Sequence, residues 1–251
     1  VHEVDLLLAE RDAAAPGRVE VALPESVSVS VLVGLRADPQ RLARRLRRPL
    51  PDRPHPYARR GTAFHAWVEQ RFQGDQLLDV DELPGAGDSD AAPETAFEDL
   101  KQAFQASEWG DRTPVAVEVP FTAVLAAASE FGGQHTPRQG TPEPSGAGAS
   151  GVVVRGRIDA VFADPDGGYD VIDWKTGRRP SGRDADAAAV QLAAYRLAWA
   201  RLAGVPVAEV RAGFHYVPDN VTVRPVDLLD ADGLSALVAE LPEARSWVVG
   251  R

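Results

Sequence analysis

The chain has 251 residues, 44% apolar and 25% charged, with a net charge of −10, a profile that fits one globular domain with a single sizeable core. The absence of cysteine excludes disulfides, zinc–thiolate sites and iron–sulfur clusters. The acidic balance argues against holding nucleic acid by bulk attraction.

No stretch approaches the roughly 20 apolar residues of a membrane span, and the first residues lack the pattern of a secretory signal, so no membrane partner and a cytoplasmic location are expected. There is no methionine, even at position 1, which leads us to expect a piece of a longer polypeptide. Residues 1–25 then read as a helix and linker joining that parent to a domain over 26–251. The helix covers 1–15, with Val4, Leu7 and Leu8 among charges, and a loop follows at Ala15-Pro16-Gly17.

Ser26 to Val31 alternates polar and apolar residues, which predicts a strand, and Asp38-Pro39 opens a helix through about Arg48. Pro49, Pro51, Pro54 and Pro56 forbid its continuation and make a stiff connector to Gly61. Residues 36–60 carry nine arginines against Asp38 and Asp52, a local charge of +7 that leaves −17 for the rest. Such a basic face can track phosphates, or it can be a solvated helix that balances acidic neighbours.

From Thr62, a candidate N-cap, Phe64, Trp67, Val68 and Phe72 recur at helical spacing, with His65 and Glu69 sharing another face. Residues 73–95 read as loop and Pro93 to Ser107 as a helix. Val115 to Thr122 is a strand by its branched and aromatic content. Residues 132–151 lack any periodic apolar face and read as a mobile polar insertion.

Val152 to Ala163 and Tyr169 to Lys175 flank the turn sequence Asp164-Pro165-Asp166-Gly167-Gly168, so they should form a hairpin. Alternation puts Val154, Ile158 and Phe162 on one face of the first strand and Arg155, Arg157 and Asp159 on the other. In the second strand Asp173 and Lys175 share a face, so hairpin pairing brings Asp159 beside Asp173. Asp184 to Leu202 is a long helix with the seam Leu192, Tyr195, Trp199 and Leu202, and Gln191 lies one turn before Tyr195. Two strands, Val210 to Val217 and Val221 to Val226, and a helix from Ala231 to about Leu241 complete the chain.

Two aspartates on neighbouring strands repel, and burying them unpaired costs several kcal/mol, so a cation should join them. Oxygen ligands without thiols point to Mg2+ or Mn2+, and a histidine on a nearby helix is an acceptable further ligand. Lys175 is one of two lysines against 25 arginines. In so biased a chain it marks a place for a compact ammonium that can orient a water.

Gly61-Thr62-Ala63-Phe64-His65-Ala66-Trp67-Val68-Glu69, Gly156-Arg157-Ile158-Asp159, Asp173-Trp174-Lys175-Thr176-Gly177 and Gln191-Leu192-Ala193-Ala194-Tyr195, as an ordered set, resemble the RecB-type nuclease domain of the PD-(D/E)XK, or restriction-endonuclease-like, superfamily. The resemblance runs from about Ser28 to Pro225. It implies an α/β fold with a central mixed β-sheet flanked by helices. It also implies metal ligation by His65, Asp159, Asp173 and the main-chain carbonyl of Trp174, with Asp159, Asp173, Lys175, Gln191 and Tyr195 as the catalytic set. Lys175 would act on the nucleophilic water, and Gln191 and Tyr195 would position Lys175 or contact a substrate phosphate. Glu69 would be at most a neighbour of His65.

The connector Arg47-Arg48-Pro49-Leu50-Pro51 and the Arg- and Ala-rich composition are similar to those of the C-terminal nuclease domains of actinobacterial helicase–nucleases of the AdnA–AdnB kind. That likeness implies a helicase motor in the same parent chain feeding single-stranded DNA during break resection, and a second, AdnA-like subunit. Many relatives carry an iron–sulfur cluster, which this chain cannot. Two other readings stay open: a catalytically silent module that guides DNA or supports a helicase, and a small-molecule phosphohydrolase.

Overall fold

The computed structural model describes residues 26–48, 56–73, 94–125, 152–165 and 167–239. The helix expected over 1–15, the prolines at 49, 51 and 54, most of the loop expected over 73–95 and the insertion at 132–151 lie outside the described residues. The described elements are β1 (Ser26–Ser28), α1 (Val29–Ala37), α2 (Pro39–Arg47), α3 (Pro56–Gln73), α4 (Glu94–Gln105), β2 (Ala116–Leu125), β3 (Val152–Ala163), β4 (Tyr169–Lys175), α5 (Arg183–Ala203), β5 (Val210–Tyr216), β6 (Val221–Val223) and α6 (Ala231–Ala239).

They build a mixed sheet flanked by helices on both faces. β2 runs antiparallel along one edge of β3. The other edge of β3 is shared: β1 pairs in parallel with Val153–Arg155, and β4 pairs antiparallel with Ala160–Ala163. β5 then adds in parallel to β4, and β6 antiparallel to β5. Between the stretches of β3 held by β1 and by β4 lies a notch at residues 156–159.

One core joins α1, α5 and α6 to the sheet through Leu32, Val154, Ile158, Val171, Leu192, Phe214 and Leu234. The second, on the α3 and α4 side, is aromatic, with Phe64, Phe104, Trp109, Phe162 and Trp174 all buried. Alternation along β4 divides the two, since Val171 enters the first core while Ile172 and Trp174 enter the second. Asp173 and Lys175 therefore face α5.

Two glycines are dictated by space. Gly168 closes the β3–β4 turn at φ +83, where a Cβ would come within 2.3 Å of the Glu209 carbonyl. Gly156 lies under the Phe121 ring, and a Cβ there would meet ring carbons at 2.5 Å.

Five expectations change. The Ser-Val alternation ends at Ser28, and Val29, Leu32 and Leu35 instead bury one stripe of α1, because helical spacing of the large side chains matches the surface available. α3 begins at Pro56 rather than at Thr62, since proline fits the first turn of a helix. Leu202 and Val226 are 56% and 92% exposed, so the seam of α5 stops short of Leu202 and the last strand ends at Val223. Finally, Phe162 does not share a face with Val154 and Ile158.

The cause of that last change lies in β2 and β3 together. Their register is constant, with Val117 opposite Ala160 and Val119 opposite Ile158, but Glu118 and Asp159 drop out of the ladder between them. Glu118 has φ +50, a left-handed conformation rare for such a side chain. On one side of this break Phe121 and Ile158 enter the first core; on the other Val117 and Phe162 join the second. One residue in each strand resets the alternation, and those two residues are both acids.

Candidate metal centre

The notch in β3 is where the charged residues collect. β3 and β4 are in register through Ala160 opposite Ile172, and the next pair in sequence would be Asp159 and Asp173. The ladder stops short of it. Instead, the main-chain N–H of Trp174 donates to Asp159 Oδ2 at 2.9 Å. The hairpin thus sets the two aspartates close enough for Asp173 to raise the Asp159 pKa.

α3 supplies His65, whose Nδ1 lies 3.4 Å from Asp159 Oδ2. The main chain of Trp174 lies near enough to His65 to favour the protonated ring slightly, as a carbonyl acceptor would. Burial outweighs this and lowers the His65 pKa, with Asp173 pulling the other way. A neutral imidazole is the form that binds metal.

The sequence reading missed Glu118. Its carboxylate, with His65 and Asp159, offers ligand atoms that all lie within 4.8 Å of one another. Arg157 Nη1, on an exposed side chain, holds Glu118 Oε2 at 3.0 Å. Glu118 sits in a segment that reads as an ordinary strand, and nothing in its neighbours announces a positive φ. The one sequence signal was an acid directly across from Asp159 once the register of β2 and β3 is known.

Asp173 is not in that group of three. It anchors a second constellation, in which Gln191 Nε2 donates to Asp173 Oδ1 at 2.7 Å and to the Tyr195 hydroxyl at 2.9 Å, and Lys175 Nζ donates to Gln191 Oε1 at 3.1 Å. Lys175 Nζ also lies 2.6 Å from Asp173 Oδ2, as an ion pair without hydrogen-bond alignment. The ammonium stands 4.8 Å over the Phe214 ring. Burial raises the Tyr195 pKa, with Asp173 adding to it, so the phenol stays protonated. Glu69 accepts from Gln73 Nε2 at 3.0 Å and adds negative charge near Arg157.

The structure therefore brings together His65, Asp159, Asp173, Trp174, Lys175, Gln191 and Tyr195 at one end of the β3–β4 hairpin, and adds Glu118. The donor set suits a hard divalent cation. One imidazole and two carboxylates converge, and Asp173 Oδ2, buried and beside a lysine, has no aligned donor. The Asp159 pKa is raised well above the ordinary carboxylate value, by burial first and by Asp173 second. An ionised Asp159 in this place is costly unless a cation compensates it. The His/Glu/Asp cluster is thus able to coordinate a divalent metal.

One comparison with known proteins agrees with this chemistry. The sequence model of the PD-(D/E)XK nuclease superfamily matches residues 26–248. Among solved structures, one titled "Crystal structure of SSO0001" aligns with 96% of this chain and 85% of its own at 13% identity, with a TM-score of 0.42. No curated protein matches the sequence. Among the described residues no helix is long and apolar enough to cross a membrane.

Proposed function

The chain belongs to the PD-(D/E)XK nuclease superfamily, and from that premise we propose that it is a divalent-metal-dependent deoxyribonuclease domain that hydrolyses phosphodiester bonds. The observation that carries the proposal is the convergence of His65, Glu118 and Asp159 beside the Asp173–Lys175–Gln191 network. His65, Glu118, Asp159, Asp173 and the Trp174 carbonyl would hold Mg2+ or Mn2+. Such an ion, when bound, stabilises charge on phosphoryl oxygens and lowers the pKa of a ligated water.

The chain's own groups do the rest. Lys175 points its ammonium at the attacking water and offsets negative charge as the P–O bond to the leaving oxygen breaks. Gln191 fixes that ammonium by accepting from it while donating to Asp173, and Tyr195 holds the other side of the Gln191 amide. No serine or cysteine nucleophile is needed, since water attacks directly.

The substrate we propose is single-stranded DNA, delivered by a helicase motor of the same parent polypeptide during end resection, with a second, AdnA-like subunit as partner. The likeness of the connector Arg47-Arg48-Pro49-Leu50-Pro51 and of the Arg- and Ala-rich composition to those helicase–nucleases supports this. α2 adds exposed Arg41, Arg44, Arg45 and Arg47 that can track phosphates.

The test is a titration of Mg2+ and Mn2+ against cleavage of single- and double-stranded oligonucleotides, with Asp173→Asn in parallel. We expect metal-dependent cutting of single strands and a loss of at least ~10²-fold in the variant. Equal cutting by the two proteins rejects the assignment. Metal binding without cutting by the native chain would favour the silent module.

A further inference from the structure

Directly beyond Lys175 a cavity of about 500 Å³ opens, lined by Arg60, Thr176, Gly177, Arg178, Pro218 and Asp219. Its volume is within the ~300–1,000 Å³ of ligand sites, and the metal cluster and the Lys175 network make no use of it. We propose that this cavity is a subsite for the strand phosphate adjacent to the one that is cut, gripped by Arg60, Thr176 and Arg178. The inference rests on the nuclease reading above and assigns binding residues that the four motifs do not contain, apart from Thr176 and Gly177.

Position is the first argument. Thr176 to Arg178 continue the chain from Lys175, so their Cα atoms lie no more than about 11 Å from it, a span that neighbouring phosphates of one strand can bridge. The loop leaves the carboxyl end of β4, and Pro218 and Asp219 follow β5, which pairs with β4 in parallel. The cavity therefore lies at the same end of the sheet as Asp173 and Lys175.

Chemistry is the second. Arg60 is half-buried on α3 and Arg178 is exposed on the loop, and two guanidinium forks match phosphate oxygens better than ammonium groups do. Thr176 adds a hydroxyl, and Gly177 has open space where a Cβ would stand, so a ligand can approach its main chain. Asp219 is the one acid in the lining. In a chain of net charge −10, such a local concentration of arginine is what a phosphate would find.

Close packing is the third. Gly61 lets α3 lie against the loop, since a Cβ there would come within 3.3 Å of Thr176 Oγ1. That approach puts Arg60 and Thr176 on the same cavity.

The experiment compares the full chain with Arg60→Gln/Arg178→Gln in binding a labelled oligothymidylate in metal-free buffer, across a salt series. We expect about 10-fold weaker binding, and a slope of log K against log salt that is shallower by about 0.7, because one phosphate is no longer neutralised. At saturating oligonucleotide and metal, kcat should stay within about threefold of the native value. Unchanged affinity and slope would overturn the subsite while leaving the nuclease reading intact; a native chain that neither binds nor cuts would reject both. A single neutral methylphosphonate next to the scissile linkage keeps the test independent of how the variant folds. It should weaken binding to the native chain and add nothing to the loss in the double variant, whereas equal additional losses in both proteins would refute the subsite.

Discussion

The main-chain N–H of Trp174 donates to the Asp159 carboxylate at 2.9 Å, across the point where β3 and β4 stop pairing. Each strand gives up one ladder position there, and the carboxylate takes the hydrogen bond that the opposite carbonyl would otherwise accept. The next peptide along, through the Trp174 carbonyl, favours the protonated form of His65. One break in a hairpin thus orients Asp159, a member of the cluster that can hold a metal.

Asp159→Asn should separate stability from function. Because the Asp159 pKa is raised by burial and by Asp173, its favourable contribution exists at low pH and is lost as pH rises through the folded value. The metal-free protein therefore carries an ionisation penalty at pH 8 that asparagine removes while still accepting from Trp174. Thermal unfolding without metal should rise for the variant at pH 8, by about 2–4 °C for each kcal/mol relieved, and match the native chain more closely near pH 4. The Mn2+-induced increase in Tm should vanish. A variant that is less stable at pH 8 than the native chain contradicts this account of the site.

Glu118→Gln tests the ligand that the sequence did not disclose. If Glu118 holds the metal with His65 and Asp159, the Mn2+ concentration for half-maximal cleavage should rise by about 10-fold or more. The rate at saturating metal should fall less than in Asp159→Asn. Metal dependence identical to the native protein would show that Glu118 serves only to pair with Arg157.

How far the sequence disclosed this site depended on how local each signal was. β3, β4 and their turn were legible because branched residues alternate around a turn that needs glycine, and Gly167 and Gly168 do take positive φ. His65 and Gln191 were legible as helix positions, but their reach to Asp159 and Lys175 is tertiary and came from the family likeness. Glu118 was hidden because its backbone conformation is imposed by the partner strand and not by its own propensity. α1 was hidden because the Ser-Val alternation of Ser26 to Val31 has period two, while burial of Val29, Leu32 and Leu35 against α5 and α6 selects a helix.

Gln191→Ala should show whether this side chain positions Lys175. The variant loses the acceptor for Lys175 Nζ and the donor to Asp173 Oδ1, but the direct Asp173–Lys175 pair remains. We expect kcat to fall by about 10–100-fold with KM for the oligonucleotide changed little, and Gln191→Glu, which keeps the acceptor but not the donor, to lie between. A rise in KM at constant kcat would place Gln191 on the substrate instead.

His215 predicts a loss of stability in mild acid that is independent of the metal ligands. It is 1% exposed on β5, edge-on to Trp174, with Nδ1 3.0 Å from Thr222 Oγ1. That hydroxyl accepts from Trp109 Nε1 at 2.9 Å, leaving its own hydrogen to donate to an unprotonated Nδ1. Burial lowers the His215 pKa to about 4, with Glu108 opposing and Arg224 assisting. The unfolded chain, with a histidine pKa near 6.5, therefore binds more protons between about pH 6.5 and 4. Stability is fully present above that window and falls within it, at a rate of up to about 1.4 kcal/mol per pH unit. Urea unfolding at pH 7.5, 6 and 5 should show a steeper decline for the native chain than for His215→Asn, with equal slopes ruling out His215 as the source. Because protonated His215 would press a charge into the aromatic core that carries Trp174, the same decline should appear as a change in tryptophan fluorescence before the global transition.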